Sequence, residues 1–366
     1  MHVVFRETQG LEAAEAPYDP AQDPGDLVVL SFSDSDLGAF AAGWHRSAGK
    51  LPSLRLQNIV ALKHPISVDT YVERTLCGAK AILIRLIGGE AYWPYGIASI
   101  QDLARRNGIA LAVLPADGRP DPALDAASTL PVSTLRRLQE LCDTGGAVAA
   151  QAALAQLCLA AGLYAGPVPG DKRVPDMGFY DPDRGVIATP PEGRFVLVSF
   201  YRSYLTAADT APVDALIRAF RAAGIQAVGV FAPSLKATGF ADWLRPVLAA
   251  QPPLAVVNAT AFSARGDDGS TPFDSADCPV FQVALSTARR RDWAESDRGL
   301  SPADLAMHVV LPEVDAVILC TPTQMHAEQT LACLKAGKHV QVEIPLADSL
   351  KGAEEVVALQ KQTGLV

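Results

Sequence analysis

Short, mostly apolar runs without period-two alternation recur along this chain, and most are followed by a stretch with helical spacing. They include LVVLSF (Leu27 to Phe32), AKAILIRLIGG from Ala79, Ile109 to Leu114, RFVLVSF (Arg194 to Phe200), Gln226 to Phe231, Leu254 to Asn258 and Val280 to Leu285. A strand that is apolar on both sides must be covered on both faces, which is the condition of a parallel sheet wrapped by helices. The fold class this predicts is α/β, with two mainly parallel-sheet α/β domains plus a partial Rossmann-like C-terminal unit.

The punctuation supports that grammar. Asp34 or Asp36 caps a helix from Leu37 to about Ser47, and a second helix covers Ile97 to Arg106. An Ala/Leu-rich helical zone runs from Val132 to Leu163, with a break at Gly145-Gly146. Pro212 opens a helix that Gly224 closes, and another helix spans Gly239 to Ala250. The segment from Ala165 to Gly193 is rich in Gly, Pro and Asp and reads as a linker. Towards the end come a strand at Ala316 to Cys320, a helix from Thr323 to Ala336, a strand at His339 to Glu343 and a helix from about Ser349. The expected domains are residues 1–190, 191–314 and a partial unit at 315–366.

Composition narrows the function. With 49% hydrophobic and 19% charged residues the chain is globular rather than disordered. Its 31 basic and 40 acidic side chains give a net charge of −9, which excludes a general nucleic-acid binder needing a basic face. The 6 cysteines form no Cys-x-x-Cys pair, so neither a disulfide framework nor a zinc module is indicated. The start MHVVFRETQG lacks an export-signal pattern, and no apolar run reaches the ~18 residues of a membrane span. The expectation is a soluble protein of a reducing cytoplasm.

No phosphate loop, no G-x-G-x-x-G after a strand, no H-E-x-x-H and no G-x-S-x-G is present. The histidines are scattered, and the sequence offers no metal site. Composition breaks near residue 314: every Arg and every aromatic residue lies before it, and residues 315–366 contain none of either.

Several long segments in order carry a resemblance. YVERTLCGAKAILIRLIGGEAYWPYGI (Tyr71 to Ile97), VVNATAFSA (Val256 to Ala264) and PVFQVALSTARRRDWAESDRGLSPADLAMHVVLPEVD (Pro279 to Asp315) resemble the N-terminal part of the large, tetrapyrrole-binding subunit of metal chelatases, nearest the CobN-type cobaltochelatase subunits. From Val314 the text EVDAVILCTPTQMHAEQTLACLKAGKHVQVEIPLADSL resembles another family, the Gfo/Idh/MocA-type NAD(P)-dependent oxidoreductases, in the branch acting on carboxy-hydroxymuconate semialdehyde. The positions carrying that likeness are Thr321, Pro322, His326, Ala336 to Val340, Glu343 and Pro345, which would be cofactor-binding positions in that family. Ile344 stands where most of its members have a catalytically important Lys, and the family's glycine-rich turn has no counterpart upstream. The chain therefore reads as a chimera of a chelatase subunit and a dehydrogenase fragment.

The chelatase resemblance implies Co(II) insertion into hydrogenobyrinic acid a,c-diamide during cobalamin biosynthesis, with cobalt as substrate and ATP hydrolysed on AAA+ partner subunits. The large subunit would hold the corrinoid. Candidate contacts are the loop Gly88, Gly89, Glu90, Tyr92 and Trp93, whose glycines allow close approach and whose aromatics offer flat faces. Asn258, after its strand, and the cluster Arg289, Arg290 and Arg291, a partner for peripheral carboxylates, complete the set. Each has a structural alternative: a Gly turn with packed aromatics, an Asn bridging loop backbone, and a solvated cationic cluster. No catalytic base or metal-ligand constellation is visible, so the expectation is a subunit portion inactive alone. NAD(P) enters only through the tail's resemblance. The alternatives are a dehydrogenase of that type and a non-enzymatic interaction module.

Overall fold

The computed structural model describes residues 16–261, 269–283, 285, 294, 316–319, 323–342 and 344–365. They fall into two compact units, Met1–Val174 with Ser203–Asp209, and Pro175–Arg202 with Thr210–Val366. No helix among the described residues is long and apolar enough to cross a membrane.

The first unit holds β1 (Leu27–Ser31), α1 (Asp34–Arg46), β2 (Leu54–Asn58), a 3-10 turn at Ile59–Leu62, α2 (Pro65–Arg74), β3 (Ala81–Leu86), α3 (Pro94–Asn107), β4 (Ala110–Pro115), α4 (Pro122–Ala127), α5 (Val132–Thr144) and α6 (Gly146–Ala160). Its four strands are parallel in the order β2-β1-β3-β4. Both faces are buried, as the period-free runs require. Val28, Leu30, Ile82, Ile84, Leu111 and Val113 pack against Val68 and Tyr71 of α2 and Ile97, Ile100 and Leu103 of α3. The alternate positions Leu27, Val29, Leu83, Ala112 and Leu114 pack against Phe40 of α1, Leu135 and Leu138 of α5, and Leu154 and Leu157 of α6. Each buried Val, Leu, Ile or Phe among them contributes about 1.5–3 kcal/mol.

The α1 cap differs from the sequence expectation. Ser33, not Asp34 or Asp36, is the N-cap, with extended backbone and its side chain accepting from Asp36 N. Asp34 and Asp36 fall in the first turn, where their charge favours the positive helix end. The helix consequently starts three residues before Leu37. The break between α5 and α6 lies at Gly145 (φ 70°, ψ 177°), where a Cβ would stand 2.9 Å from Thr206 Cβ.

The second unit contains β5 (Gly178–Asp181), β6 (Gly185–Ile187), β7 (Phe195–Tyr201), α7 (Arg202–Thr206, its last residues in the first unit), α8 (Ala211–Ala222), β8 (Gln226–Ala232), α9 (Phe240–Ala250), β9 (Ala255–Asn258), β10 (Val280–Gln282), β11 (Ala316–Leu319), α10 (Thr323–Lys335), β12 (His339–Val342) and α11 (Leu350–Thr363). They build one eight-stranded sheet, β12-β11-β10-β9-β7-β8-β5-β6, parallel except at β5 and β6. The strands of the dehydrogenase-like end join the same sheet: Phe281 and Gln282 of β10 pair in register with Ala316 and Val317 of β11.

The segment read as a linker instead contributes a hairpin to this sheet. Asp181 Oδ1 accepts from the backbone N–H of Asp183 and Arg184, and Gly185 takes φ 75° to close the turn. Phe179 is buried beside Trp243, and the Tyr180 hydroxyl donates to Asp214 at 2.8 Å. Those contacts, invisible to local composition, order the strand pair.

Strand order reverses between β1 and β3 in the first sheet and between β7 and β9 in the second. In doubly wound sheets the crevice at the carboxyl ends beside such a reversal is the usual ligand position.

The tightest helix contact is α1 on α6. A Cβ at Gly43 would lie 2.6 Å from Gln151 N and 2.9 Å from Ala147 O, both backbone atoms of α6. Alanine would gain about 1 kcal/mol of helix propensity, but a clash with backbone rather than side-chain atoms costs about 2–3 kcal/mol, the upper part of the overpacking range. Gly43→Ala should therefore lower the unfolding free energy by about 1–2 kcal/mol. Urea denaturation checks this, and unchanged or raised stability would contradict the close packing.

Candidate functional site

The carboxyl edge of the first sheet carries a charged cluster at its reversal point. Arg85, next to the last residue of β3, is 4% exposed. Its Nη2 donates to Asp143 Oδ1 at 2.9 Å, and its Nε lies 3.4 Å from Asp36 Oδ2. Ser31 Oγ, at the end of β1, donates to that same Asp36 oxygen at 2.9 Å. Nη1 has no hydrogen-bond acceptor among the described residues. Burial works against the Arg85 charge, but the neighbouring Cys142, Asp36 and Asp143 outweigh it and its pKa lies above the ordinary arginine value. Burial also raises the Asp143 pKa, with Arg85 pulling the other way. Burial pushes the Cys142 thiol up to about 11 in spite of the Arg85 charge, so at neutral pH it is a thiol and a poor nucleophile. The cluster pins the ends of β1, β3, α1 and α5 together.

The loop after β3 lies beside it. Gly88 and Gly89 take φ of 76° and 71°, which glycine alone adopts without strain. Glu90 is exposed, and Tyr92 is 36% exposed with its ring edge-on to Phe32 at 6.4 Å. Trp93 points the other way: it is 5% exposed, in the core, with its indole N–H donating to Leu62 O at 2.9 Å. Gly96 makes room for it, since a Cβ there would stand 2.1 Å from the indole ring. Between this loop and the one after β4 is a cavity of about 240 Å³, lined by Gly88, Gly89, Asp117, Arg119, Asp121 and flanking prolines.

Sequence reasoning missed Arg85, although the signal was present as one cation inside an apolar strand run. Such a charge must find partners when buried.

Among the described residues, a buried polar row lies at the reversal point of the second sheet. Ser199, Asn258 and Gln282 sit level across β7, β9 and β10. Ser199 Oγ donates to Asn258 Oδ1 at 2.6 Å, Asn258 Nδ2 donates to Gln282 Oε1 at 2.9 Å, and Thr260 Oγ1 donates to Asn258 Oδ1 at 2.8 Å. Gln282 Nε2 donates onward to Thr260 O at 2.8 Å. Asn258 is thus wholly buried, with both side-chain polar atoms engaged.

Arg289, Arg290 and Arg291 lie outside the described residues, as do Thr321, Pro322 and Glu343. His326 is buried on α10, its Nδ1 2.7 Å from Pro345 O. A nicotinamide dinucleotide, implied by the dehydrogenase likeness, does not fit the residues present. Its pyrophosphate calls for a dinucleotide-type glycine turn leading into a helix N-terminus, and no G-x-G-x-x-G follows a strand in the sequence. His326 and the Pro345 carbonyl are turned onto each other. Among the described residues, no three His, Cys, Asp or Glu side chains gather as a metal-holding group.

The buried row around Asn258 yields a direct test. Asn258→Ala leaves Ser199, Thr260 and Gln282 without a shared partner and should cost about 2–4 kcal/mol of stability. Guanidinium denaturation measures it, and a loss within error of zero would contradict the network.

Comparison with known proteins follows the two halves of the sequence reading. A family model described as CobN/Magnesium Chelatase matches residues 145–363. The chain is 35% identical over 348 residues to the aerobic cobaltochelatase subunit CobN of Sinorhizobium sp, across 89% of this chain and 27% of that protein. It thus spans about a quarter of that curated relative's length, at 27%. It is also 44% identical over 115 residues to a 4-carboxy-2-hydroxymuconate-6-semialdehyde dehydrogenase of Sphingobium sp., covering 31% of this chain and 36% of that one. Among solved structures, the catalytic subunit of cobaltochelatase from Mycobacterium tuberculosis shares the fold with a TM-score of 0.58 and 24% identity, over 85% of this chain and 27% of that chain. With a family match over more than half its length, and with one part similar to Gfo/Idh/MocA-type oxidoreductases, the chain belongs to the CobN/magnesium chelatase family.

Proposed function

We propose that this chain supplies one part of a cobaltochelatase large subunit, contacting a corrinoid at the carboxyl edge of its first sheet, and that it does not insert cobalt alone. In this reading residues 1–314 are the chelatase part, with the stretch from Pro175 to Gly193 belonging to the second unit rather than the first, and 315–366 is a dehydrogenase-derived end. The substrate would be hydrogenobyrinic acid a,c-diamide, with cobalt as the inserted metal and AAA+ subunits as ATP-hydrolysing partners in the cytoplasm.

The observation that carries the reading is the size of the cavity beside Gly88 and Gly89. At about 240 Å³ it falls below the roughly 300–1,000 Å³ of pockets that enclose drug-sized ligands, and a corrin ring is larger than most of those. In this reading the edge would touch the macrocycle through the glycine backbone, Glu90 and Tyr92 without enclosing it. Insertion needs the ring held still while two N–H protons leave and a stripped metal ion enters, with base and ligands converging on one enclosed point. Arg289, Arg290 and Arg291 would pair with peripheral carboxylates of the ring.

A spectrophotometric assay with corrinoid, Co(II), ATP and the AAA+ partners should show no turnover above the control without this chain. Sustained turnover would contradict the reading. Corrinoid binding, followed by the same absorption bands, should weaken when Arg289, Arg290 and Arg291 are changed together to Ala; unchanged affinity would remove them from the site.

The dehydrogenase likeness favours a second reading, an NAD(P)-dependent oxidoreductase, which the engaged His326 and the lack of a G-x-G-x-x-G after any strand oppose. Titration with NADH or NADPH, followed by nicotinamide fluorescence, should give no micromolar binding. Micromolar affinity would revive that reading.

A further inference from the structure

The first unit exposes four large apolar side chains at one edge. Val60 is 46% exposed, Ile66 55%, Tyr95 46% and Tyr92 36%. Scattered singly, such residues need no explanation. These four come from neighbouring segments: the 3-10 turn after β2, the first turn of α2, the loop after β3 and the first turn of α3.

Their base is rigid. The Trp93 indole ties the β3 loop to Leu62 of the 3-10 turn at 2.9 Å, and Tyr95 Oη donates to Asp69 Oδ1 of α2 at 2.7 Å. Presenting these side chains therefore requires little ordering on binding, which removes a principal cost of association.

The rim is acidic. Ile66, Asp69 and Glu73 stand at i, i+3 and i+7 on α2, so one exposed stripe runs from apolar to anionic. Glu90 is exposed on the loop that carries Tyr92. Lys63 is a cation at this edge, while Arg74 is taken by Asp19 at 2.5 Å. Carboxylates around an apolar centre repel nucleic acid and anionic lipid. They complement a helix with apolar residues at i, i+3/i+4 and i+7 flanked by Lys or Arg, a common mode of helix recognition.

We propose that Val60, Ile66, Tyr92 and Tyr95, with Asp69, Glu73 and Glu90 around them, form a docking surface for a basic amphipathic helix of a partner protein. The surface shares Tyr92 and Glu90 with the proposed corrinoid edge, so binding is measured with no corrinoid present and the Val60 and Ile66 variants separate the two. The apolar four supply the anchors, and the carboxylates set orientation and encounter rate.

The test uses the full chain and a fluorescein-labelled synthetic amphipathic helix of leucine and lysine, followed by fluorescence polarisation. Micromolar binding that weakens as salt rises is expected, with no binding of a matched leucine and glutamate helix. Val60→Ser with Ile66→Ser should weaken binding about tenfold or more, because the anchors are lost while the charge is kept. Glu73→Gln with Glu90→Gln should weaken it and flatten the salt dependence. All four positions are exposed, and circular dichroism confirms that the variants fold. Absence of binding, equal binding of the acidic helix, or unchanged affinity in the doubly serine-substituted chain would each overturn the proposal.

Discussion

The pairing of β10 with β11 is the contact by which the C-terminal strands join the sheet of the second unit. A parallel strand left open presents unpaired N–H and C=O groups and an uncovered apolar face. Val280–Gln282 would be such an edge, but Phe281 and Gln282 meet Ala316 and Val317 in register, and β12 extends the sheet beyond them. The compositional break near residue 314 therefore does not interrupt the sheet. Parallel pairing is satisfied by backbone geometry and an apolar strand, which segments of either family supply. The dehydrogenase-like end completes a fold here, whatever chemistry it serves in its own relatives.

The two reversal points show two ways of occupying the same position. In the second sheet the crevice holds a neutral row, Ser199, Asn258, Thr260 and Gln282, in which each group satisfies the next. In the first it holds Arg85 between Asp36 and Asp143. A buried cation survives there because both carboxylates remain partly exposed, at 22% and 34%, which limits the desolvation cost of the pair. In the first unit the cavity lies outward of Arg85, between the loops after β3 and β4.

Much of the fold was legible in the sequence for one reason. Runs such as LVVLSF, ILIRLI and FVLVSF are apolar on both sides, and only strands covered on both faces read that way. β2 (Leu54–Asn58) escaped because LRLQN is an edge strand with polar residues interleaved and every position half-buried. The hairpin of β5 and β6 escaped because Gly, Pro and Asp mark both linkers and turns, and the contact that separates them, Tyr180 to Asp214, spans distant sequence. At the site, the glycines after β3 were legible as a turn, whereas the opposite directions of Tyr92 and Trp93 were not. Those follow from Gly96, which leaves the indole space against α3.

Native-state hydrogen exchange of the full chain tests most directly whether the two family segments share one sheet. The amides of Val280–Gln282 and Ala316–Leu319 should be protected to similar degrees and lose that protection together as denaturant is raised, because each strand is held by the other. Protection of β7 and β9 alongside unprotected exchange across Ala316–Leu319 would show that the dehydrogenase-like end does not complete the sheet, contradicting the account.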